Sequence, residues 1–293
     1  MRCHKCNANA VIFQRYSGLH LCRRHFFEDV ERKIKRHVRK YYVEGTLAVA
    51  LSGGKDSAVA LYILNEIYHR SDVELVAITI DEGIAGYRDK TLESAAMIVT
   101  ELGVRWEVTS FQEKFGVRID QIKERPCTYC GIFRRSLLNR MAKEVGASKI
   151  ATGHNLDDEA QTVLMNYLRG DIDRLMRLEQ SAKVGLIPRI KPLRDVPEKE
   201  VALYAILKEL PIDLNECAFS LDAFRAEVRD NLNDFEYRHP GTKYSLIRGS
   251  NRISSLVKKE PFDLRRCRNC GEPSVNELCQ TCEALVTLEK LAM

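Results

Sequence analysis

The cysteines of this sequence have a spacing that points to metal chemistry. The chain has 10 cysteines, and they fall into three groups. The two terminal groups each contain two close pairs of ligands, with two residues between the members of a pair. They are Cys3, Cys6, Cys22 and His25 at one end, and Cys267, Cys270, Cys279 and Cys282 at the other. Four ligands at this spacing are typical of a closed tetrahedral zinc site, so the sequence predicts two structural Zn²⁺ ions.

The central group has only three members. Cys127 and Cys130 have two residues between them, and Cys217 follows much later in the chain. Three thiolates without a fourth protein ligand suit an iron–sulfur cluster with one iron left open. Other interpretations stay open at this point. Cys127 and Cys130 would serve as a redox dithiol, Cys130 and Cys217 would form and resolve a persulfide, or all three would be structural.

A second candidate site is a glycine-rich hexapeptide between a predicted strand and a predicted helix. Its two glycines permit a tight turn and a close approach to a ligand, and free amides at the helix start favour an anion. Lys55 adds a positive charge and Ser57 a hydroxyl donor. The Walker spacing is absent, so the hexapeptide predicts a phosphate site of another kind than the ordinary P-loop. Its residues are Ser52, Gly53, Gly54, Lys55, Asp56 and Ser57.

Strand-like and helix-like segments alternate around this hexapeptide. Short apolar segments predict strands at 46–51, 73–80, 106–111 and 149–152. Helical segments are predicted up to residue 68 and at 92–102, 132–145 and 157–168, then at 198–210 and 221–234, followed by a loop containing glycine and serine. The alternation predicts an α/β fold with a doubly wound, mostly parallel sheet.

Bulk properties limit the class of protein. The 293 residues suffice for one large domain with small appendages, and the net charge of +5 permits a polyanionic partner. No apolar run is long enough to span a bilayer, and the first residues lack the apolar core of a signal peptide. We therefore expect a cytoplasmic protein with no membrane partner, in which reduced thiols argue against a disulfide framework.

The hexapeptide resembles the signature of the PP-loop ATP pyrophosphatases, which cleave ATP between the α- and β-phosphates and adenylate a substrate. The resemblance covers about residues 46–168. It implies that ATP, with Mg²⁺, binds to Ser52–Ser57, and that Lys55 and Asp158 lie closest to catalysis. Further implied ATP-binding residues are Ala50, Ile80, Asp81, Gly153 and Asp158. Asp157 and Asp158 also suit the N-terminus of a helix, where carboxylates act as caps.

Four other stretches make the resemblance more specific. Residues 86–89, 127–135, 164–171 and 191–193 look like the tRNA 2-thiolation (2-thiouridine synthetase) family of PP-loop ATPases. Together with the cysteine groups at the two ends, the similarity spans nearly the whole chain. In that family three equivalent cysteines ligate a [4Fe–4S] cluster. This implies a cluster on Cys127, Cys130 and Cys217, and it places Cys130 and Cys217 among the catalytic residues.

The resemblance implies an ATP-dependent tRNA sulfurtransferase that adenylates the C2 oxygen of a uridine and replaces it with sulfur. The stretches at 86–89 and 127–135 look closer to the branch acting on the anticodon wobble uridine than to the T-loop branch. The implied partners are tRNA and a sulfur donor, which would be a ubiquitin-like thiocarboxylate protein, a persulfide or sulfide; a homodimer is possible. Two other functions stay open: a PP-loop ligase without sulfur chemistry, and a non-enzymatic zinc-knuckle protein that binds nucleic acid.

The predicted helix between the first cysteine group and the hexapeptide has a basic face. Its cations are Arg32, Lys35, Arg36 and Arg39. Such a face is often merely solvated, but its position beside an adenylating domain favours contact with tRNA phosphates. The expected organisation is a zinc finger at 1–25, a basic linker helix at 26–45, a PP-loop thiolation domain at 46–260 and a second zinc finger at 261–293.

Overall fold

The computed structural model describes residues 1–171, 185–220, 224–256 and 265–292. The first residues of the helix expected at 221–234 lie outside these ranges. The strands are β1 Ile12–Gln14, β2 Leu19–Leu21, β3 Thr46–Ala50, β4 Glu74–Asp81, β5 Arg105–Ser110, β6 Ala147–Ala151, β7 Arg189–Ile190, β8 Arg265–Arg266 and β9 Pro273–Ser274. The helices are α1 Arg23–Val38, α2 Lys55–Tyr68, α3 Arg88–Leu102, α4 Phe111–Phe115, α5 Pro126–Glu144, α6 Leu156–Leu168, α7 Glu198–Leu207, α8 Phe224–Arg238, α9 Thr242–Leu256 and α10 Gln280–Ala292.

The central sheet has five strands in the order β5-β4-β3-β6-β7, and each neighbouring pair is parallel. This confirms the predicted doubly wound α/β fold. Strand β3 lies in the middle, with β4 on one side and β6 on the other. The connections from β3 and β6 therefore leave the sheet in opposite directions, which opens a crevice at the carboxyl ends of these two strands.

The two faces of the sheet are covered by different helices, as the alternation of side chains along a strand requires. Leu47 and Val49 of β3 belong to a core that includes buried residues of α1, α2, α3 and α7. Ala48, between them, belongs to a second core with buried residues of α5 and α10. Near-continuous apolar strands are typical of a sheet that is buried on both faces.

The chain ends are tied to this domain by polar contacts and by apolar packing. On the N-terminal hairpin β1–β2, the Gln14 amide donates to the carboxylates of Asp29 and Glu200, at 3.0 and 3.1 Å. Near the other end, Ala284 of α10 lies in the core beneath α5. Among the described residues, no helix is long and apolar enough to cross a membrane.

Two local predictions differ from the structure, and strand β7 was not predicted. Helix α5 begins at Pro126 and not near Gly131, because proline suits the first turn of a helix; Cys127 and Cys130 therefore lie inside it. Residues 242–256 form helix α9 where a loop was expected, and its buried Ile247 shows that packing outweighs the low helix propensity of its glycine and serines. Strand β7 has two residues, too few for a periodicity to be visible.

Shortening a buried side chain in the central strand of the sheet should destabilise the protein. Leu47 is fully buried in β3. We expect Leu47→Ala to lower the free energy of unfolding by about 2–5 kcal/mol, because it removes buried methyl groups and leaves a cavity. Urea denaturation followed by far-ultraviolet circular dichroism measures this change. Met97→Ala is the matched control, since Met97 is 55% exposed; an equal effect of both substitutions would contradict the assigned core.

Candidate functional site

The hexapeptide Ser52–Ser57, here called the phosphate loop, joins β3 to α2 at the crevice. Gly54 is the N-cap of α2. It has no side chain, so no N-cap side chain accepts a hydrogen bond from the first backbone amides of the helix. The Ser52 and Ser57 hydroxyls lie 3.0 Å apart, and the Ser57 hydroxyl donates to the Gly54 carbonyl at 3.0 Å. An uncapped helix start next to a glycine turn is a ready anion site.

Glycine is required at two places around the loop. Gly53 has a φ of +86°, and a Cβ there would lie 1.8 Å from the Thr91 carbonyl oxygen. Gly153, at the end of β6, approaches the start of α2 so closely that a Cβ would lie 2.8 Å from the Ser57 amide nitrogen. The loops that follow β3 and β6 therefore touch through backbone atoms, which brings the two predicted ATP motifs together.

Lys55 lies between two carboxylates. Its ammonium group donates to Asp56 at 3.0 Å and to Glu198, at the start of α7, at 2.9 Å. Burial alone would lower the pKa of Lys55, but these carboxylates raise it, so the side chain keeps its charge. Glu198 was not predicted from the sequence. In the sequence, Glu198 is recognisable only as an acidic residue at the start of a predicted helix.

The second predicted ATP motif, residues 153–158, contains Asn155, the N-cap of α6. The Asn155 side chain accepts from the Asp158 amide and the Asp158 carboxylate accepts from the Asn155 amide, both at 3.1 Å, which forms a capping box. The side-chain amide nitrogen of Asn155 also donates to the Asp56 carboxylate at 2.9 Å. Burial raises the pKa of Asp158 to about 6, and the negative charges of Asp56 and Glu198 act in the same direction. Asp158 is therefore part of the N-terminal cap of α6 and also lies beside the phosphate loop.

Asp157 has a different role from its neighbour. Its carboxylate forms a buried ion pair with Lys243 of α9 and accepts a hydrogen bond at 2.8 Å from the Glu198 amide. Lys243 also donates to the Asn233 side chain at 2.6 Å. Asp157 therefore joins α6, α7 and the α8–α9 pair behind the phosphate loop. Breaking a buried pair of this kind costs about 3–5 kcal/mol.

The predicted ribose and adenine region lies at the end of β4. Asp81 accepts from the Gly83 amide at 2.8 Å, and the Ile80 carbonyl accepts from Arg88 at 2.6 Å. The same buried guanidinium donates to the Ser52 carbonyl at 2.8 Å and pairs with Glu82 at 2.8 Å. Ala50, the last residue of β3, is half-buried beside this region. Arg88 therefore joins the phosphate loop to β4.

The same ionic contacts extend to the central cysteines. Glu82 also pairs with Arg134 of α5 at 2.9 Å, and Arg134 donates to the Cys130 sulfur at 3.1 Å. Glu82 and Arg134 had no predicted role. Glu82 directly follows β4, where charged residues are common in any loop, so nothing in the sequence singles it out as the carboxylate that links the two sites.

Cys127, Cys130 and Cys217 lie close enough to influence one another electrostatically. Burial raises the pKa of the Cys130 thiol to about 11, and the charges of Cys217 and Cys127 add to this, while Arg134 opposes it. The Cys127 thiol donates to the Phe219 carbonyl at 3.1 Å, which brings the segment around Cys217 to the start of α5. The positive charge of Arg134 and the N-terminus of α5 act in the opposite direction to burial and favour the thiolate that a bound metal requires.

The geometry of these three thiols differs from that of the terminal groups. Within the described ranges, only the two terminal groups bring four ligand atoms within 4.8 Å of one another. A single tetrahedral ion needs that compactness, whereas a multinuclear cluster holds its cysteine sulfurs further apart. The donor chemistry and the wider spacing of the central group therefore fit an iron–sulfur cluster.

The terminal groups have the compact form that a single zinc ion needs. In the first, His25 Nδ1 lies 3.3 Å from the Cys3 sulfur and 3.4 Å from the Cys22 sulfur. In the second, the Cys270 and Cys279 sulfurs lie 3.5 Å apart. Although burial opposes it, hydrogen bonds from backbone amides lower the pKa of Cys3 to about 6, which favours the metal-binding thiolate.

The four predicted tRNA-binding cations of α1 divide into two pairs. Arg32 pairs with the buried carboxylate of Asp29, and Lys35 lies 3.7 Å from Glu31. Arg36 and Arg39, near the C-terminal end of the helix, are exposed as Arg32 is, but make no ion pair within the described part of the chain. Arg36 and Arg39 are therefore the better candidates for contact with a polyanion.

Comparison with known proteins assigns most of the chain. Residues 27–235 match the family model of the PP-loop domain, and residues 2–27 match that of the 2-thiouridine synthetase TtuA N-terminal LIM domain. The tRNA 2-thiolation protein NcsA of Haloferax volcanii is 41% identical, over 99% of both chains. The tRNA-5-methyluridine(54) 2-sulfurtransferase of Pyrococcus horikoshii is 34% identical, over 97% of this chain and 93% of its own length.

A solved structure resembles the whole fold. It is the U34-tRNA thiolase NcsA from Methanococcus maripaludis with its [4Fe–4S] cluster, which is 37% identical to this chain. The similarity covers 98% of this chain and 96% of that one, with a TM-score of 0.88.

The metal content gives a first test of the cysteine assignments. We expect the purified protein to contain about two zinc ions, and Cys3→Ser or Cys267→Ser to lose about one of them, because each site needs all four ligands. Cys217→Ser is the control and should keep both zinc ions. Mass spectrometry of metals in anaerobic protein measures this. Retention of both zinc ions in Cys3→Ser would show that this group binds none.

Proposed function

The chain belongs to the tRNA 2-thiolation family of PP-loop proteins, and from that premise we propose that it uses ATP to replace the C2 oxygen of a tRNA uridine with sulfur. The observation that carries this proposal is the contact between its two sites. Arg88, Glu82 and Arg134 connect the Ser52 carbonyl to the Cys130 sulfur without a gap. Adenylation acts on the oxygen, and sulfur insertion on the carbon, of the same C2 carbonyl group, so their sites must be neighbours.

The first half of the reaction takes place at the phosphate loop. The uridine leaves its stack, its C2 oxygen attacks the α-phosphorus with loss of the N3 proton, and pyrophosphate departs. Lys55 and the amides at the start of α2 stabilise the charge that develops on the phosphates. Asp56 and Asp158 are the carboxylates placed to hold Mg²⁺, since their crowded negative charge favours a cation.

The second half takes place at the central cysteines. A [4Fe–4S] cluster held by Cys127, Cys130 and Cys217 would have one iron without a protein ligand and would supply the sulfur nucleophile there. Arg134 orients Cys130, and the apolar side chains around it exclude water from the activated base. Sulfur at the oxidation level of hydrosulfide bonds to C2, the C2–O bond breaks as AMP departs with the former uridine oxygen, and the hydrosulfide proton passes to N3 to leave 2-thiouridine.

We place the target at the wobble uridine of tRNA in the cytoplasm. Support comes from the 0.88 TM-score of the U34-tRNA thiolase and from the stretches at 86–89 and 127–135. The T-loop uridine is the second candidate, because the enzyme named for position 54 is 34% identical. Nucleoside mass spectrometry of position-specific fragments, on tRNA from cells lacking this gene, separates the two. Loss of 2-thiouridine at position 34 alone supports the proposal, and loss at position 54 alone contradicts it.

Substitutions at the central cysteines and at the phosphate loop should abolish different properties of the protein. Cys127→Ala, Cys130→Ala and Cys217→Ala should each lose iron and tRNA thiolation after anaerobic reconstitution, but still bind ATP. Lys55→Ala is the matched variant, which should keep its iron and lose ATP-dependent AMP release. Iron analysis, ATP binding and thiolated nucleosides are measured on the same samples.

Other outcomes favour the competing functions. Full thiolation by iron-free protein with a persulfide donor would replace the cluster mechanism with disulfide exchange. An adenylating protein that forms no thiolated nucleoside would be a PP-loop ligase. A protein that binds tRNA without ATP–pyrophosphate exchange would be a non-enzymatic binding protein.

Helix α1 should contribute to tRNA affinity and not to chemistry. We expect Arg36→Glu and Arg39→Glu each to weaken tRNA binding and to reduce the slope of log affinity against log salt concentration by about one. Arg70→Glu, an exposed cation on the loop after α2, is the control for net charge. Equal salt slopes in all three variants and the wild type would mean that α1 is only a solvated surface.

A further inference from the structure

A short segment runs directly from the phosphate loop to the third central cysteine. The Asp213 amide donates to the Gly53 carbonyl at 3.2 Å, and Asp213 forms an isolated parallel bridge with Gly54. Cys217 follows after only three residues. We call Asp213–Cys217 the strap. Because its first residue is hydrogen-bonded to the loop, a shift of the loop backbone reaches Cys217 through a very short length of chain.

The Asp213 carboxylate fixes the course of the strap. Its Oδ1 accepts from the Asn215 amide nitrogen at 3.0 Å and from the Asn215 side chain at 2.6 Å. Its Oδ2 is buried and has no hydrogen-bond partner within the described part of the chain. The turn therefore depends on one acceptor oxygen, which an asparagine at position 213 would also provide.

The other end of the strap lies against the first two central cysteines. Cys217 and Phe219 pack against the core that contains Cys130 and Phe133. The Cys127 thiol donates to the Phe219 carbonyl at 3.1 Å. The strap therefore reaches the cysteine site at one end and the phosphate loop at the other.

The phosphate loop has little freedom on its other side. A Cβ at Gly53 would lie 1.8 Å from the Thr91 carbonyl oxygen, so the loop backbone is packed between α3 and the strap. A nucleotide that draws the loop amides towards its phosphates meets the fixed start of α3 on one side. The strap, which is irregular in structure, is the side that can adjust.

We propose that the strap couples occupancy of the phosphate loop to the position of Cys217, with Asp213 as the positioning residue. The proposal rests on the proposed function in one respect, namely that the loop binds ATP. Nucleotide binding to the loop stabilises the hydrogen-bonded course of the strap and keeps Cys217 against α5. The sulfur-handling cysteines then reach their working arrangement only when the activating nucleotide is present.

Cysteine alkylation in cluster-free, zinc-containing protein tests this without any thiolation activity. The probe is iodoacetamide, and the nucleotide is the Mg²⁺ complex of an ATP analogue that cannot be cleaved between its α- and β-phosphates. We expect saturating analogue to slow modification of Cys217 by about threefold or more, because it shifts the strap towards its ordered state. Peptide mass spectrometry follows Cys217, and equilibrium dialysis measures analogue binding separately.

Substitutions at the strap separate coupling from binding. Asp213→Ala should still bind the analogue while Cys217 reacts at one rate with and without it. Asp213→Asn, which keeps the acceptor for Asn215, should restore the difference between the two rates. Lys55→Ala should show no slowing, because it removes the cation that faces the phosphates. If Asp213→Ala fails to fold, Asn215→Ala takes its place, since it removes one donor and leaves Asp213 in position.

The outcomes distinguish this inference from the proposed function. Analogue binding by wild type with no change at Cys217 would overturn the coupling and leave ATP binding intact. Slowing that persists in full in Asp213→Ala, or that occurs equally in Lys55→Ala, would also overturn it. Wild type that binds no analogue would overturn the proposed function, and the coupling with it.

Discussion

Close backbone packing at the carboxyl end of β3 is the constraint on which the rest of the site depends. Gly53 lies against the Thr91 carbonyl and Gly153 against the Ser57 amide, at distances that leave no room for a Cβ. Because side chains are absent there, the loops after β3 and β6 meet at the point where the sheet connections diverge. That meeting places Lys55, Asp56, Asn155 and Asp158 around the start of one helix, where an anion is favoured.

Charged residues then connect this packed region to the cysteines. Arg88 and Glu82 are buried, and each makes two or more polar contacts, so neither charge is left uncompensated. A buried ionic arrangement of this kind contributes less to stability than to a fixed geometry. The terminal cysteine groups serve another purpose. Each brings four ligand atoms within 4.8 Å of one another, and a metal ion bound there would help a module with little core to fold and would have no open position for a substrate.

The sequence was sufficient for features that are local in the chain. The Gly-rich turn between a strand and a helix, the alternation of strands and helices over residues 46–168, and the two terminal ligand groups depend mostly on residues close in sequence, and the structure contains them. Glu198, Lys243, Asp213 and Glu82 could not be found in this way, because each acts through a partner that only the tertiary structure brings near. Helix α9 could not be predicted because Gly249 and several serines have low helix propensity. Its inner face nevertheless packs on α6. Helix α5 begins six residues before the predicted 132, because Pro126 starts it and the Cys127–Cys130 pair carries no apolar periodicity.

The central claim is that the C2 oxygen of the uridine attacks the α-phosphorus and leaves with AMP. Transfer of an oxygen label tests it most directly. A tRNA whose target uridine carries ¹⁸O at C2 is thiolated under single-turnover conditions, and the AMP produced is analysed by mass spectrometry. The account predicts one ¹⁸O in AMP for each 2-thiouridine formed. Thiolation with unlabelled AMP, and the label found in water, would show that the uridine is not adenylated and would contradict it.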